Sequence, residues 1–153
     1  MIVEKQYSIR PYRKEDLYDL FEILNDPEVM RFMEKTYSLQ ETEEFLKTYG
    51  LRDRPPVYAL EDIRKKKVIG HIIFHPYDDS AYEIGWIIAK EEQGKGIASA
   101  CIESMISTGR KKGIRQLVIE CTSDNLISLH LAEKYGFRYE RKEDNLLVFR
   151  KMI

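Results

Sequence analysis

The stretch Gln93-Gly94-Lys95-Gly96-Ile97-Ala98 has the residue types and spacing to bind a ligand through its backbone. It sits where a strand pattern over residues 83–88 gives way to a helical one. In the helical part Ile97, Cys101, Ile102, Met105 and Ile106 recur at helical spacing. Two glycines at such a junction let the backbone approach a ligand, because neither has a Cβ in the way. The first turn of a helix leaves amide N–H groups unpaired, and the helix dipole adds partial positive charge there. That combination seats a phosphate or pyrophosphate; the same two glycines also suit a tight strand-to-helix turn with no ligand. The dinucleotide fingerprint G-x-G-x-x-G is broken, because Ser99 stands where its third glycine belongs. The Walker loop fails as well, since Lys95 is followed by Gly96 and not by Ser or Thr.

The elements that must position this loop follow from the rest of the chain. Its 153 residues make one domain, residues 1–153, with enough chain to bury a substantial core. Hydrophobic content of 43% and charged content of 33% fit a soluble globular protein, and a net charge of -1 disfavours a nucleic-acid-binding surface. No apolar run approaches the roughly 20 residues of a membrane span. Residues 1–5 lack the apolar core of a signal peptide, so a cytoplasmic location without membrane attachment is expected. Cys101 and Cys121 fit reduced thiols. His71, His75 and His130 have no metal-ligand spacing, and no metal is expected.

In order, residues 6–12 alternate as a first strand with Tyr7 and Ile9 on one face, and Pro11 marks an edge or strand end. A helix opens at Lys14 with Leu17, Leu20, Phe21 and Leu24 as its apolar stripe, and residues 25–27 stop it. Val29, Met30, Phe32 and Met33 form a short apolar turn or loop. Ser38 and Glu41 make a capping box for a second helix that Gly50 closes. Strands are expected over residues 57–61, 67–75 and 81–89, the central helix over residues 95–112, and a fifth strand over 116–121. A helix over residues 126–135 and a closing hairpin, 137–141 and 146–152, complete the chain. The result is an α/β domain with a mixed sheet in the order β-α-α-β-β-β-α-β-α-β-β.

Gln93, Gly96 and Ala98 occupy the places of the acetyl-CoA loop of the GNAT superfamily of N-acetyltransferases, and the element order resembles the GNAT fold from end to end. Residues 81–88 with 91–96, then Asn125-Leu126-Ile127-Ser128 and Glu133-Lys134-Tyr135-Gly136-Phe137, resemble the ribosomal-protein N-terminal acetyltransferase (Rim-type) branch. Ile9-Arg10-Pro11 and Asn25-Asp26-Pro27 resemble it too. The resemblance implies a mostly antiparallel sheet flanked by helices and splayed between its fourth and fifth strands. It implies acetyl transfer from acetyl-CoA (coenzyme A as carrier) to a primary amine, by direct attack in a ternary complex. Trp86, Ile87 and Ile88 would offer backbone groups to the pantetheine arm. Gln93, Gly94, Lys95, Gly96, Ile97, Ala98 and Ser99 would cradle the pyrophosphate. Asn125 would contact the pantetheine or cap the helix it precedes, and Ser128 would stand near the thiol.

The chemistry asks for a base and an acid. Glu83 is the candidate base, acting through a water, because it precedes the cofactor-binding end of its strand. It shares a strand face with Gly85 and Ile87, opposite Ile84 and Trp86. Gly85 itself marks a bulge or a close backbone approach. The tyrosine that many GNAT enzymes carry seven residues after the motif asparagine is replaced by Ala132, and it is the resemblance to the Rim-type branch that implies Ser128 near the leaving sulfur. Tyr135 fits a core aromatic and Cys121 a buried thiol. The acceptor, a peptide N-terminus, a polyamine or an aminoglycoside-like amine, is expected near Met30, Phe32, Met33, Glu34 and Tyr37. A non-catalytic acyl-CoA-binding or sensing module is the alternative, and either a monomer or a homodimer is compatible with the sequence.

Overall fold

In the computed structural model the described residues are 1–4 and 6–153. Eight strands form one sheet in the order β1-β2-β3-β4-β5-β6-β8-β7. They are β1 (Ile2–Glu4), β2 (Tyr7–Arg10), β3 (Val57–Asp62), β4 (Lys67–Pro76), β5 (Ala81–Ile88), β6 (Gln116–Thr122), β7 (Arg138–Glu143) and β8 (Leu146–Met152). Four helices flank it: α1 (Leu17–Leu24), α2 (Leu39–Phe45), α3 (Ile97–Lys111) and α4 (Leu126–Lys134). Every neighbouring pair is antiparallel except β5 and β6. That parallel pair follows from the crossover through α3.

The β5–β6 pairing is short. Its register holds for three steps only: Ala81 with Gln116, Tyr82 with Leu117 and Glu83 with Val118. Both strands continue, to Ile88 and to Thr122, without pairing further. The sheet therefore opens between them, as the resemblance implies, and unpaired β5 backbone faces the gap.

Packing divides by sheet face. Ile84, Ile88, Leu117 and Ile119 bury against Cys101, Ile102 and Met105 of α3 and Leu131 and Ala132 of α4. On the other face Leu20, Ile23 and Leu24 of α1 pack with Val57, Ala59 and Val68. Asp19 of α1 also accepts the Val68 N–H at 3.0 Å, tying that helix to β4. Ahead of α1, buried Asp16 takes the Arg10 guanidinium through two bonds of 2.8 and 2.9 Å and the Arg13 N–H at 2.7 Å.

Several boundaries differ from the expectation. β1 is an additional strand, recruited by β2 and anchored where the Met1 ammonium donates to the Ile9 carbonyl at 2.6 Å. Lys5, part of the N-terminal stretch considered above, lies outside the described residues. β2 stops just before Pro11, which is a strand end and not an edge. The Ser38–Glu41 capping box is present with bonds of 3.0 and 3.1 Å, but α2 gives way to a wider π turn over Leu46–Gly50. The central helix starts at Ile97 and not at Lys95, because Gly94 and Gly96 both take left-handed φ values, 78° and 79°. An α-helix cannot begin until that left-handed turn is complete. Gly85 lies in unbroken register with Ile73, so it is no bulge. A Cβ there would lie 3.1 Å from Ile73 Cδ1, which makes it a close approach.

Candidate active site at the splayed strands

A cavity of about 250 Å³ occupies the gap between β5 and β6. Its wall holds Trp86, Ile87 and Ile88 from β5, then Gln93, Gly94, Gly96, Ile97, Ala98 and Ser99 from the loop and the first turn of α3. Asn125 and Ser128 close it from the start of α4. Eleven of the twelve residues expected to hold the cofactor thus meet at one place.

The twelfth, Lys95, does not line the cavity. Its ammonium is bound at 2.9 Å by Glu92, which is buried and also takes Lys65 from the β3–β4 turn at 2.8 Å. These two lysines hold the Glu92 carboxyl below the usual carboxylate range. Lys95 therefore serves as a strut of the loop in this structure. Glu92 itself lines the cavity and is a residue the sequence analysis missed; nothing in its spacing marks it.

The local geometry suits an anionic, extended ligand. Gly94 and Gly96 have positive φ, and among the described residues no atom beyond the adjoining ones in the chain lies within 4 Å of where their Cβ atoms would stand. The space beside the loop is thus kept clear. Gly96 is the N-cap of α3 and offers no side-chain cap, which leaves the first-turn amides of this 15-residue helix for a ligand. Gln93 donates its side-chain N–H to the Ile88 carbonyl at 3.0 Å and so fastens the loop to the end of β5. Asn125 caps α4, its Oδ1 accepting the Ser128 N–H at 3.2 Å, and it also lines the cavity.

A second cavity, about 540 Å³, lies on the α1–α2 face of the sheet. It shares Met33 and Ile87 with the first, so the two meet at the opening of the sheet. Met30, Met33, Glu34 and Tyr37 line it as expected, whereas Phe32 turns to the first cavity. Glu83 lines this second cavity, with His75 Nε2 3.5 Å from its Oε1. His75 Nδ1 meets the Pro76 carbonyl at 2.8 Å. Burial, and then the charge of Glu120 on β6, push the Glu83 carboxyl above the usual range, against a smaller opposite pull from His75. A carboxylate tuned upward is better matched to taking a proton near neutral pH.

His71 also lines this cavity and was unassigned by its sequence context. Its Nδ1 lies 2.7 Å from the Tyr12 hydroxyl, and its ring meets Phe45 edge-on at 5.4 Å. Burial lowers its pKa to about 4, so the ring is neutral near pH 7. Tyr12 is held protonated by the same burial, and the pair is assigned as Tyr12 O–H donating to Nδ1.

The remaining candidates sit elsewhere. Ala132 is fully buried in the core. Tyr135 packs against that core, and its hydroxyl donates to Glu103 at 2.8 Å. Cys121 lines neither cavity, and burial pushes its thiol up to about 11. Among the described residues no group of three or more metal-ligating side chains occurs. No described helix is long and apolar enough to cross a membrane.

Comparison with known proteins decides the family. The acetyltransferase (GNAT) domain matches residues 7–138. The chain belongs to the GNAT acetyltransferase family. A curated relative, the uncharacterized N-acetyltransferase YnaD of Bacillus subtilis (strain 168), is 28% identical over 145 residues, covering 91% of this chain and 83% of YnaD. A GNAT-family acetyltransferase structure from Bacillus anthracis superposes with a TM-score of 0.87 at 22% identity, covering 97% of this chain and 95% of the other. RimL, a ribosomal alpha-N-protein acetyltransferase solved in complex with coenzyme A, superposes with a TM-score of 0.83 at 18% identity. That match covers 99% of this chain and 97% of RimL. The GNAT fold is thus shown along nearly the whole chain, with structures of the Rim type among its neighbours.

Proposed function

We propose that the protein transfers an acetyl group from acetyl-CoA to a primary amine, with both substrates bound at once. The observation that carries this is the meeting of two cavities at Ile87 and Met33, one walled by the glycine loop and the other holding Glu83. When bound, acetyl-CoA supplies an acetyl thioester, a group activated toward an amine. The α3 amides and the Gly94–Gly96 backbone would hold its phosphates, and the edge of β5 left unpaired by β6 over Trp86, Ile87 and Ile88 would receive its arm. RimL, with coenzyme A bound on the same fold, supports that arrangement.

An amine must lose its proton before its lone pair can attack. Alkyl ammonium groups titrate near ~10.4 and α-ammonium groups near ~8. Glu83 takes that proton, directly or through a water, as the new N–C bond forms. Ser128, on the donor side, hydrogen-bonds the sulfur as the C–S bond breaks. A serine hydroxyl keeps its own proton at neutral pH, so this contact orients the sulfur, and solvent completes its protonation.

A second reading, an acyl-CoA-binding or sensing module, is favoured by one observation. No tyrosine lines the first cavity among the described residues, and Ala132 stands buried at the position resembling the acid. Incubation with acetyl-CoA and a pooled amine panel, followed by mass spectrometry, separates the two. Acetylated product establishes the transferase. Coenzyme A binding without product from any amine would favour the sensor, and failure to bind coenzyme A would remove both.

A further inference from the structure

The second cavity carries information about the acceptor that the family does not provide. The inference drawn from it rests on the transferase reading above. Its wall is mostly apolar: Val57, Ile73 and Ile87 from the sheet, and the rings of Tyr37, Phe45 and Tyr49 from α2 and its approaches. Phe45 packs edge-on to Tyr37 at 5.8 Å and lies 5.2 Å from Tyr49, so these rings form one surface. His71 adds a neutral ring to it. A dry apolar cavity of about 150 Å³ accommodates benzene, and this one offers about 540 Å³.

Charge in the cavity is sparse and placed at one end. Glu83 is the only half-buried carboxylate on the wall among the described residues, with His75 beside it. Glu34 and Lys35 are exposed at the rim with opposite charges, and Lys35 is already paired with Glu41. On β5 the same sheet face runs Glu83, Gly85, Ile87, and Ile73 leans over the glycine. The floor between the carboxylate and the aromatic end is therefore apolar. One ammonium finds a partner here. A polyamine or an aminoglycoside would bring further ammonium groups that lose water against aliphatic and aromatic walls without compensation.

We propose that the acceptor is a mono-amine whose amine-bearing carbon chain carries an apolar, ring-sized group. The amine lies toward Glu83 and Ile87, and the ring lies against Phe45 and Tyr49. A free arylalkylamine and a peptide with an aromatic first residue share this chemistry. One methylene gained or lost in a hydrophobic pocket changes kcat/KM by about 10- to 200-fold.

The test compares kcat/KM, by mass spectrometry with acetyl-CoA, for 2-phenylethylamine, a Phe-Ala-Ala amide, a Ser-Ala-Ala amide, spermidine and kanamycin. At least one of the two aromatic acceptors is expected to exceed the serine peptide, spermidine and kanamycin by tenfold or more, and the better of the two identifies the source. Preference for the serine peptide or for either polycation would overturn this inference while leaving the transferase reading intact. No transfer to any acceptor would overturn both. Tyr49 is 42% exposed at the rim, so Tyr49→Ala is expected to fold normally. It should raise KM about fivefold for the aromatic acceptor with little effect on the serine peptide; an equal effect on both would also count against the proposal.

Discussion

Burial of His71 makes the wall of the second cavity sensitive to acid. In an unfolded chain the ring titrates near 6.5, whereas in the folded protein burial lowers it to about 4. A histidine depressed in this way supports the fold fully above its unfolded value, and that support is lost as pH falls toward its folded value. Linkage over the interval gives a loss of about 2 kcal/mol at pH 5 and about 3 kcal/mol at pH 4, relative to pH 7.5. Carboxylates titrate in the same range, so the contribution must be isolated with His71→Gln, which cannot titrate but can still accept the Tyr12 hydroxyl. Urea unfolding of both proteins at pH 7.5, 6, 5 and 4 measures the difference. The stability gap between wild type and variant should move by about 3 kcal/mol in favour of the variant across that range. A constant gap would refute the reasoning, because it would mean that His71 is charged or solvated in the folded state.

Three further outcomes are expected. The acid limb of the wild-type pH profile for kcat/KM should lie above the ordinary glutamate range, and Glu120→Gln should move it downward, because the Glu120 charge raises Glu83. Gly96→Ala forces a Cβ into a left-handed conformation at φ 79°; calorimetry should show a loss of about 1–2 kcal/mol, and isothermal titration a weaker affinity for coenzyme A. Asp16→Asn breaks a doubly bonded ion pair at a buried site and should cost about 3 kcal/mol in urea unfolding at pH 7. Asp16 is held below the usual carboxylate range, so its contribution is complete above that range and disappears as pH falls through its folded value.

What the sequence disclosed depended on how local the physics was. The glycine loop, the Ser38–Glu41 box and the Asn125 cap are settled by neighbours within a few residues, and all were legible. The apolar alternation of β4 and β5 carried the strands, and a helix between two strands, as between β5 and β6, is the ordinary route to a parallel pair in a mixed sheet. β1 was not legible, because three residues pair through partners on β2 and show no period of their own. Neither was the Tyr12–His71 pair, 59 residues apart in the chain. The partner of Lys95 was not legible for a related reason: its charge suits a phosphate, and only the fold shows that the carboxylate three residues earlier is buried and paired with it. The second cavity is assembled from α1, α2 and three strands, so only Glu83, Ile87 and part of the 30–37 stretch were singled out in advance.

Glu83, on the wall of the second cavity, is proposed to remove the acceptor proton, directly or through a water. Single-turnover acetyl transfer at saturating acetyl-CoA, comparing wild type with Glu83→Gln, tests it most directly. General-base assistance contributes about 10²- to 10⁴-fold, so the variant should be at least 100-fold slower while its affinity for coenzyme A stays within twofold. Equal transfer rates in the two proteins would contradict the account and remove Glu83 from the mechanism.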